Sequence, residues 1–404
     1  MLAKRASKRR NTPCAIRDQA GTLTISEEET EHAWAKVLAS LCEDKSGHSK
    51  DDGLWRRKDL LKSAIPKADL NADISEKELV QALTRLRNWK SAGSDGIPPE
   101  FFKAAQLGTP FFRFLHRLLQ KEWSSGEVAA LWNVAEVVPI LKKGDRQDPD
   151  NYRGISLITV GQKLLNGIIA RRLSAALEEG GALVPEQAGF RKGEECVSHL
   201  AALTEILGRR EHTRENTALC FVDFRKAFDR VPHGALLRKV TEGMGLSEYE
   251  PFTKYLRALY REPTARVKGG NVRWPFQVGV RQGCPLSPIL FSVFINDLLI
   301  GNEELGVSVA GMKEKVSGLL FADDVALLAE NAENLQKLAT NTEHWAQTWE
   351  MEINPAKCGA FQTLLEEETT GLVTQSGEIP WVEEYRYLGV IFGRKNNRES
   401  RNKV

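Results

Sequence analysis

The stretch SGLLFADDVALLAE, residues 317–330, places two adjacent carboxylates, Asp323 and Asp324, in a run otherwise suited to a protein interior. Leu319, Leu320, Phe321 and Ala322 precede them, and Val325, Ala326, Leu327 and Leu328 follow. Burying an unpaired carboxylate is costly unless a cation or hydrogen bonds compensate it. Two readings are open. An Asp pair at a hairpin tip is ordinary turn chemistry near solvent. Alternatively, two short apolar strands, 317–322 and 325–329, meet at a tight turn that aims both carboxylates at a divalent metal. Oxygen-only ligands of this kind suit Mg²⁺, which takes few protein carboxylates and leaves room for substrate phosphates. The second reading requires another carboxylate, also at the end of an apolar strand.

That carboxylate is present. The segment ALCFVDFRKAFDRVPH (218–233) has an apolar strand ending at Asp223, followed by Phe228 and a further acid, Asp229. Carboxylates at 223 and 323–324 converge if the two strands are neighbours in one sheet. Three carboxylates around two Mg²⁺ ions are the minimal machinery for in-line phosphoryl transfer. Between the segments lies FQVGVRQGCPLSPILFSVFINDLL (276–299), where a Gly-x-x-Gln-Gly loop feeds a capped helix. Gly279 and Gly283 let the backbone approach a ligand closely. Gln282 offers a neutral amide that can touch a base pair without selecting its identity. Taken alone, this is only a Gly-rich turn before a helix.

The whole chain sets the bounds. Its 404 residues suggest two or three domains, and its hydrophobic content of 42% and charged content of 27% are those of a globular protein. Net charge is only +2, so basic character is local. Lys4, Arg5, Lys8, Arg9, Arg10 and Arg17 fall in an acid-free start, and Arg394, Lys395, Arg398, Arg401 and Lys403 crowd the end. The run at 4–10 reads as a nuclear address, a phosphate-binding arm or a solvated tail. Six scattered cysteines without a CxxC pattern argue against structural zinc or a disulfide framework and for a reducing compartment. No apolar run approaches the roughly 20 residues of a membrane span. The expected setting is intracellular, nucleus or cytoplasm, with no membrane partner.

Along the chain, residues 1–74 read as a basic, loosely ordered lead-in with one helix near 27–42. Ser75 and Glu78 stand in capping-box spacing before apolar residues at helical intervals. EVVPILKK is a β-branched strand and GDRQDPDNYRG a loop. Helices are expected over LLNGIIARRLSAALEEGG and VSHLAALTEILGRR, near 234–243, 248–260, 287–300 and 332–349. Short strands are expected near 350–353, 358–364 and 385–391, and a hairpin turning at Gly269–Gly270–Asn271. Strands and helices interleave without a strict βαβ rhythm, which gives an α+β class.

In order, these segments resemble the reverse transcriptase domain of non-LTR (LINE-type) retrotransposons, from about residue 80 to 391. The matching motifs are GSDGIPPEFF (93–102), VVPILKKGD (137–145), NYRGISL (151–157), PEQAGFRKG (185–193), FVDFRKAFD (221–229), GVRQGCPLSPILF (279–291), FADD (321–324), INPAKC (353–358) and YLGV (387–390). The resemblance implies a right-hand polymerase fold with an antiparallel palm sheet packed on helices. It divides the chain into a lead-in (1–74), fingers (75–215), palm (216–392) and basic tail (393–404). Asp223, Asp323 and Asp324 match the catalytic, metal-holding carboxylates for two Mg²⁺ ions, with Mn²⁺ as a substitute. Phe228 matches the bulky residue under the nucleotide sugar, where an aromatic face excludes a 2′-hydroxyl. Gln282 and Gly283 match the loop that braces the nascent pair. Arg153 matches the arginine that meets the incoming triphosphate, with Lys142 as its companion. Lys357 matches a lysine placed to neutralise pyrophosphate, and YLGV the strand that grips the primer end. The implied partners are an RNA template, a DNA primer or target DNA, and deoxynucleoside triphosphates.

Departures from the pattern accompany the likeness. Gly154 stands where many relatives carry proline, and the sequence stops at Val404, 14 residues past Val390. A helical thumb is therefore expected to be missing, and no endonuclease, Cys/His knuckle or ribonuclease H segment is recognised. The implied function is an RNA-directed DNA polymerase. The competing expectation is a truncated remnant that only binds nucleic acid.

Overall fold

The computed structural model describes residues 15–364 and 371–393. The basic run at 4–10 and the tail from 394 lie outside them. Helix α1 (Glu27–Leu41) begins at a capping box in which Ser26 accepts from the Glu29 N–H and Glu29 accepts from the Ser26 N–H. Two short helices follow, α2 (Asp52–Arg56) and α3 (Ala68–Asn71). Helix α4 (Glu76–Arg85) carries the expected Ser75–Glu78 box. Proline opens both α5 (Pro99–Lys103) and α6 (Pro110–Ser125), and α6 stops at Gly126, whose φ of 64° suits a residue without a side chain. Then come β1 (Val134–Leu141), β2 (Tyr152–Leu157), α7 (Val160–Glu179), α8 (Cys196–His212) and β3 (Ala218–Val222). The chain continues through α9 (Ala227–Arg230), α10 (His233–Val240), α11 (Pro251–Arg261), β4 (Thr264–Val267), β5 (Arg273–Pro275) and α12 (Ser287–Ile295). It closes with β6 (Gly318–Phe321), β7 (Asp324–Ala329), α13 (Ala332–Thr348), β8 (Gly359–Gln362), β9 (Leu372–Thr374), β10 (Gly377–Ile379), β11 (Glu384–Tyr387) and β12 (Val390–Gly393). No described helix is long and apolar enough to cross a membrane.

These elements form two compact units that do not follow chain order. One takes Met1–Trp55, Ala64–Ala176 and Pro232–Ser287, and the other Arg56–Ser63, Leu177–Val231 and Pro288–Val404. Segments of both units lie on either side of residues 215/216.

In the first unit the strand order is β2-β1-β4-β5. Strand β1 runs antiparallel to β2 and parallel to β4. Pro139 can sit within β1 because β4 pairing ends at Val137, so no ladder bond is lost on that side. Strand β2 occupies YRGISL, whose first three residues, Tyr152, Arg153 and Gly154, were expected to belong to a loop. Hydrogen bonding to β1 from Tyr152 to Leu157 overrides the turn-forming residues before it. Residues 15–55 carry buried side chains into this unit. Trp34 is wholly buried and meets Tyr152 edge-on at 4.8 Å. Ser49 donates its hydroxyl to the Gln277 carbonyl at 2.6 Å and accepts from the His233 N–H at 3.0 Å.

In the second unit the order is β6-β7-β3-β8, antiparallel throughout. Every residue of β3 is buried, which explains why ALCFV does not alternate polar and apolar positions. Leu219 and Phe221, with Ala326 and Leu328 beside them, gather with Leu203, Ile206 and Leu207 of α8. Helix α13 packs against β3 and β7. Two corrections fall here. The strand expected at 350–353 is only an isolated pairing of Ile353 with Phe224. YLGV is the corner of a hairpin rather than part of one strand: Tyr387 pairs with Val390 across Leu388 (φ 48°) and Gly389 (φ 90°). Two central residues at positive φ give the primed turn that suits strand twist.

Candidate active site

The register of the second sheet decides where the aspartates go. Strands β3 and β7 pair down to Val222 opposite Val325. One step further, Asp223 leaves β3 just as Asp324 opens β7. Strand β6 pairs Phe321 with Asp324, leaving Ala322 and Asp323 as the two turn residues. The Asp pair thus sits at a hairpin tip, and the hairpin delivers it beside the end of β3.

The tip is held from outside the hairpin. Ala322 has φ 57°, a left-handed conformation that costs a non-glycine residue about 1 kcal/mol. Gln187, wholly buried, accepts at Oε1 from the Ala322 N–H at 3.2 Å and the Gly189 N–H at 2.7 Å. Two converging N–H donors identify that atom as the amide oxygen. The segment around it pairs with β6 through Ala188 N–H to Leu320 O and Leu320 N–H to Glu186 O, both 2.9 Å. A Cβ on Gly189 would stand 2.2 Å from the Ala322 nitrogen, so only glycine allows this approach. A further link runs from β11, where the Tyr387 hydroxyl donates to the Asp324 carbonyl at 3.3 Å.

Negative charge is concentrated at the site, with Lys357 as a cation beside it. Asp324 remains solvent-exposed at the strand end, yet desolvation by the protein packed around its base, then the charges of Asp323 and Asp223, push its carboxyl up to about 6. At Asp223 the balance is different. Lys357 brings its ammonium to 3.9 Å from Oδ2, and Asn354 donates its amide to the same oxygen at 3.4 Å. The Asp223 backbone is fixed as well, through Asn354 N–H to its carbonyl at 2.8 Å and its own N–H to Cys358 Sγ at 3.3 Å. Burial raises the Cys358 thiol to about 11, so it stays a neutral acceptor. Among the described residues no three His, Cys, Asp or Glu side chains converge tightly enough to hold a metal ion. The donor chemistry nevertheless fits a hard divalent cation: oxygen ligands, mutual repulsion, and a lysine already drawn to one carboxylate.

Phe228, on α9, stacks on Phe291 with ring centres 4.3 Å apart and meets Phe190 edge-on at 6.2 Å. Lys357 is well exposed apart from its contact with Asp223.

The remaining sequence-identified residues belong to the first unit. Arg153 on β2 pairs with Ile140, and the Lys142 N–H donates to Asn151 O at 2.8 Å. Side chains two apart on a strand share a face, so Arg153 and Lys142 stand on one exposed face of the β1–β2 hairpin. Gln282 accepts through its carbonyl from the Ser156 N–H at 2.7 Å. Gly283 has φ 117°, and a Cβ there would meet the Ser156 oxygen at 2.5 Å. The loop therefore lies directly on β2, anchored by buried Arg281, which donates to Asn133 O at 3.0 Å. Asp223, Asp323, Asp324, Phe228 and Lys357 come together in one unit, and Arg153, Lys142, Gln282 and Gly283 in the other. Sequence reasoning missed Gln187, Gly189, Asn354 and Tyr387 as supports. The signal was present only as the quoted motifs PEQAGF, INPAKC and YLGV.

Residues 140–392 match the family described as reverse transcriptase (RNA-dependent DNA polymerase). A Drosophila melanogaster protein named "Probable RNA-directed DNA polymerase from transposon BS" is 28% identical over 400 residues, 94% of this chain and 42% of that protein. The "Retrovirus-related Pol polyprotein from type-1 retrotransposable element R2" of Popillia japonica is 29% identical over 279 residues, 67% of this chain and 37% of its own. The "RNA-directed DNA polymerase from mobile element jockey" of Drosophila funebris is 29% identical over 270 residues, 64% of this chain and 29% of its own. The chain spans less than half the length of each of these relatives. A match across more than half of the chain, with relatives drawn from mobile elements, shows that it belongs to the reverse transcriptase family of non-LTR retrotransposons.

Proposed function

We propose that this chain is an RNA-directed DNA polymerase that adds deoxynucleotides to a primer 3′-hydroxyl on an RNA template. The observation that carries the proposal is the register placing Asp223 and Asp324 at the abutting ends of antiparallel β3 and β7, with Asp323 on the turn between β6 and β7. In this reading the second unit's sheet is the palm and the β1–β2 hairpin belongs to the fingers. Asp223, Asp323 and Asp324 would hold two divalent ions, Mg²⁺ or Mn²⁺, whose chemistry there is to neutralise triphosphate charge and favour the alkoxide of the primer end. Lys357, 3.9 Å from Asp223 Oδ2, carries positive charge for the departing pyrophosphate. Phe228, braced by Phe291, presents a flat apolar surface that fits a deoxyribose and crowds a 2′-hydroxyl. Arg153 and Lys142 share a face that suits a triphosphate, Arg153 through its bidentate guanidinium. Gln282 and Gly283, fixed on β2, brace the templating pair. Buried free thiols at Cys42, Cys220, Cys284 and Cys358 fit a reducing, intracellular setting, nuclear or cytoplasmic.

Primer extension on an annealed RNA template with Mg²⁺ tests the proposal. Extension by the parent chain and none by Asp323→Asn is the expected result. Equal extension by both would refute the assignment.

A further inference from the structure

The first unit contains a cavity of about 340 Å³ lined by Arg85, Arg87, Lys90, Lys163 and Arg171. They come from the end of α4, the loop after it, and α7. No carboxylate lines the cavity, and among the described residues none of the five cations has a carboxylate within ion-pair distance. The acids within electrostatic reach are Asp95 near Lys163 and Glu78 near Arg171. Glu78 is already committed, accepting from Arg172 Nε at 2.6 Å and Nη2 at 2.8 Å. Among the described residues Arg171 Nη2 is buried with no hydrogen-bond partner. Burial pushes the pKa values of Lys163 and Arg171 down, which a resident anion would reverse. Two partly buried cations, one with an unused guanidinium donor, ringed by the exposed Arg85, Arg87 and Lys90, make a setting suited to an anion.

A second, independent feature stands beside it. Trp89, between Arg87 and Lys90 on the chain, is 85% exposed. It has φ 61°, an outlier for a bulky residue. The loop is pinned in this state, with the Trp89 N–H donated to Glu100 and Lys103 donating to Asn88 Oδ1 at 2.8 Å. Strain is thus retained in a conformation that leaves the indole in solvent, on a loop whose Arg87 and Lys90 line the cationic cavity. Aromatic faces beside phosphate-binding grooves are the usual means of holding unpaired bases. We propose that this cavity seats a backbone phosphate of a single-stranded nucleic acid whose neighbouring base stacks on Trp89. The choice of a nucleic-acid strand rests on the proposed function, while the anion site stands on its own geometry.

The test is fluorescence anisotropy of the full chain with a labelled single-stranded RNA of about 16 nucleotides, without divalent metal or deoxynucleotides. Salt is varied between about 50 and 200 mM. Arg85→Gln with Arg87→Gln should weaken binding about tenfold and flatten the log Kd against log salt slope by about 0.7 for each phosphate no longer neutralised. Lys163→Gln should act in the same direction. Trp89→Ala should weaken binding at least fivefold with the slope unchanged. Arg85, Arg87 and Trp89 are exposed, so these variants should keep the parent's melting curve. Parental Kd and slope in the arginine variants, or a parental Kd in Trp89→Ala, would overturn the proposal. So would a labelled nucleoside monophosphate binding as tightly as the RNA, since that would make the cavity a free-nucleotide site. Primer extension is scored separately: a chain that cannot extend, yet loses RNA binding in these variants, refutes the proposed function and supports this site.

Discussion

Asp323 and Asp324 are neighbours on the chain but stand differently in the hairpin. Asp324 is fixed by strand pairing, whereas Asp323 depends on a two-residue turn whose other member, Ala322, sits in an unfavourable conformation. Loss of either Asp323 or Asp223 to Asn should lower extension by at least about a thousandfold, on the scale of removing charge stabilisation from phosphoryl transfer. RNA binding measured by anisotropy should be retained. Gln187 should matter next. Gln187→Leu leaves two buried N–H groups unsatisfied, at about 1–3 kcal/mol each, and frees the turn. We expect kcat to fall about 10- to 100-fold with little change in the nucleotide KM, alongside a lower Tm. Adding Ala322→Gly should recover part of the stability by relieving the turn, which a purely packing role for Gln187 would not predict. Phe228→Val should admit ribonucleotides, read as a smaller ratio of kcat/KM for dGTP over GTP; an unchanged ratio would place sugar selection elsewhere.

The elements around the site are coupled by polar links that periodicity does not reveal. His199 on α8 bonds Tyr387 on β11 at 2.9 Å. The tyrosine hydroxyl donates to the Asp324 carbonyl, so His199 must be the donor to it, as a neutral Nε2–H tautomer. Burial pushes His199 down to about 4 and His233 to about 3, from 6.5 in the unfolded chain. Both bases are therefore neutral when folded and take up protons on unfolding below 6.5. Stability should be intact above that value and decline as pH falls from 6.5 toward 4. Thermal melts across this range should show Tm dropping by several degrees, with a smaller drop in His199→Gln. Helix periodicity and strand composition made most elements legible, including α4 with its cap and the hairpin bearing the Asp pair. What escaped depended on partners far along the chain. Strand β2 forms because β1 is opposite, and the YLGV corner forms because Leu388 tolerates a positive φ once β11 and β12 pair.

At the scale of the whole molecule, the first 74 residues were the segment least legible in the sequence. Their polar, mixed-charge composition hides Ile16, Trp34, Trp55 and Leu70, each at most 1% exposed. A truncation starting at Ser75 should accordingly lose cooperative thermal unfolding and solubility, read by thermal melts of the soluble fraction. The aspartates could be found from local sequence because each lies beside its own strand. The two-unit arrangement could not, since it depends on which distant segments share a core. That arrangement bears on synthesis through strand β1. Its parallel partner begins at Thr264, 130 residues after Val134. At roughly 5–20 residues per second, a ribosome takes about 6–26 s to deliver it. Throughout that interval the nascent chain presents an open sheet edge, and the intervening 177–231 segment emerges before either unit is complete. Synthesis of this protein therefore carries a built-in waiting period in which a chaperone, or slowed translation before residue 264, has the most to protect.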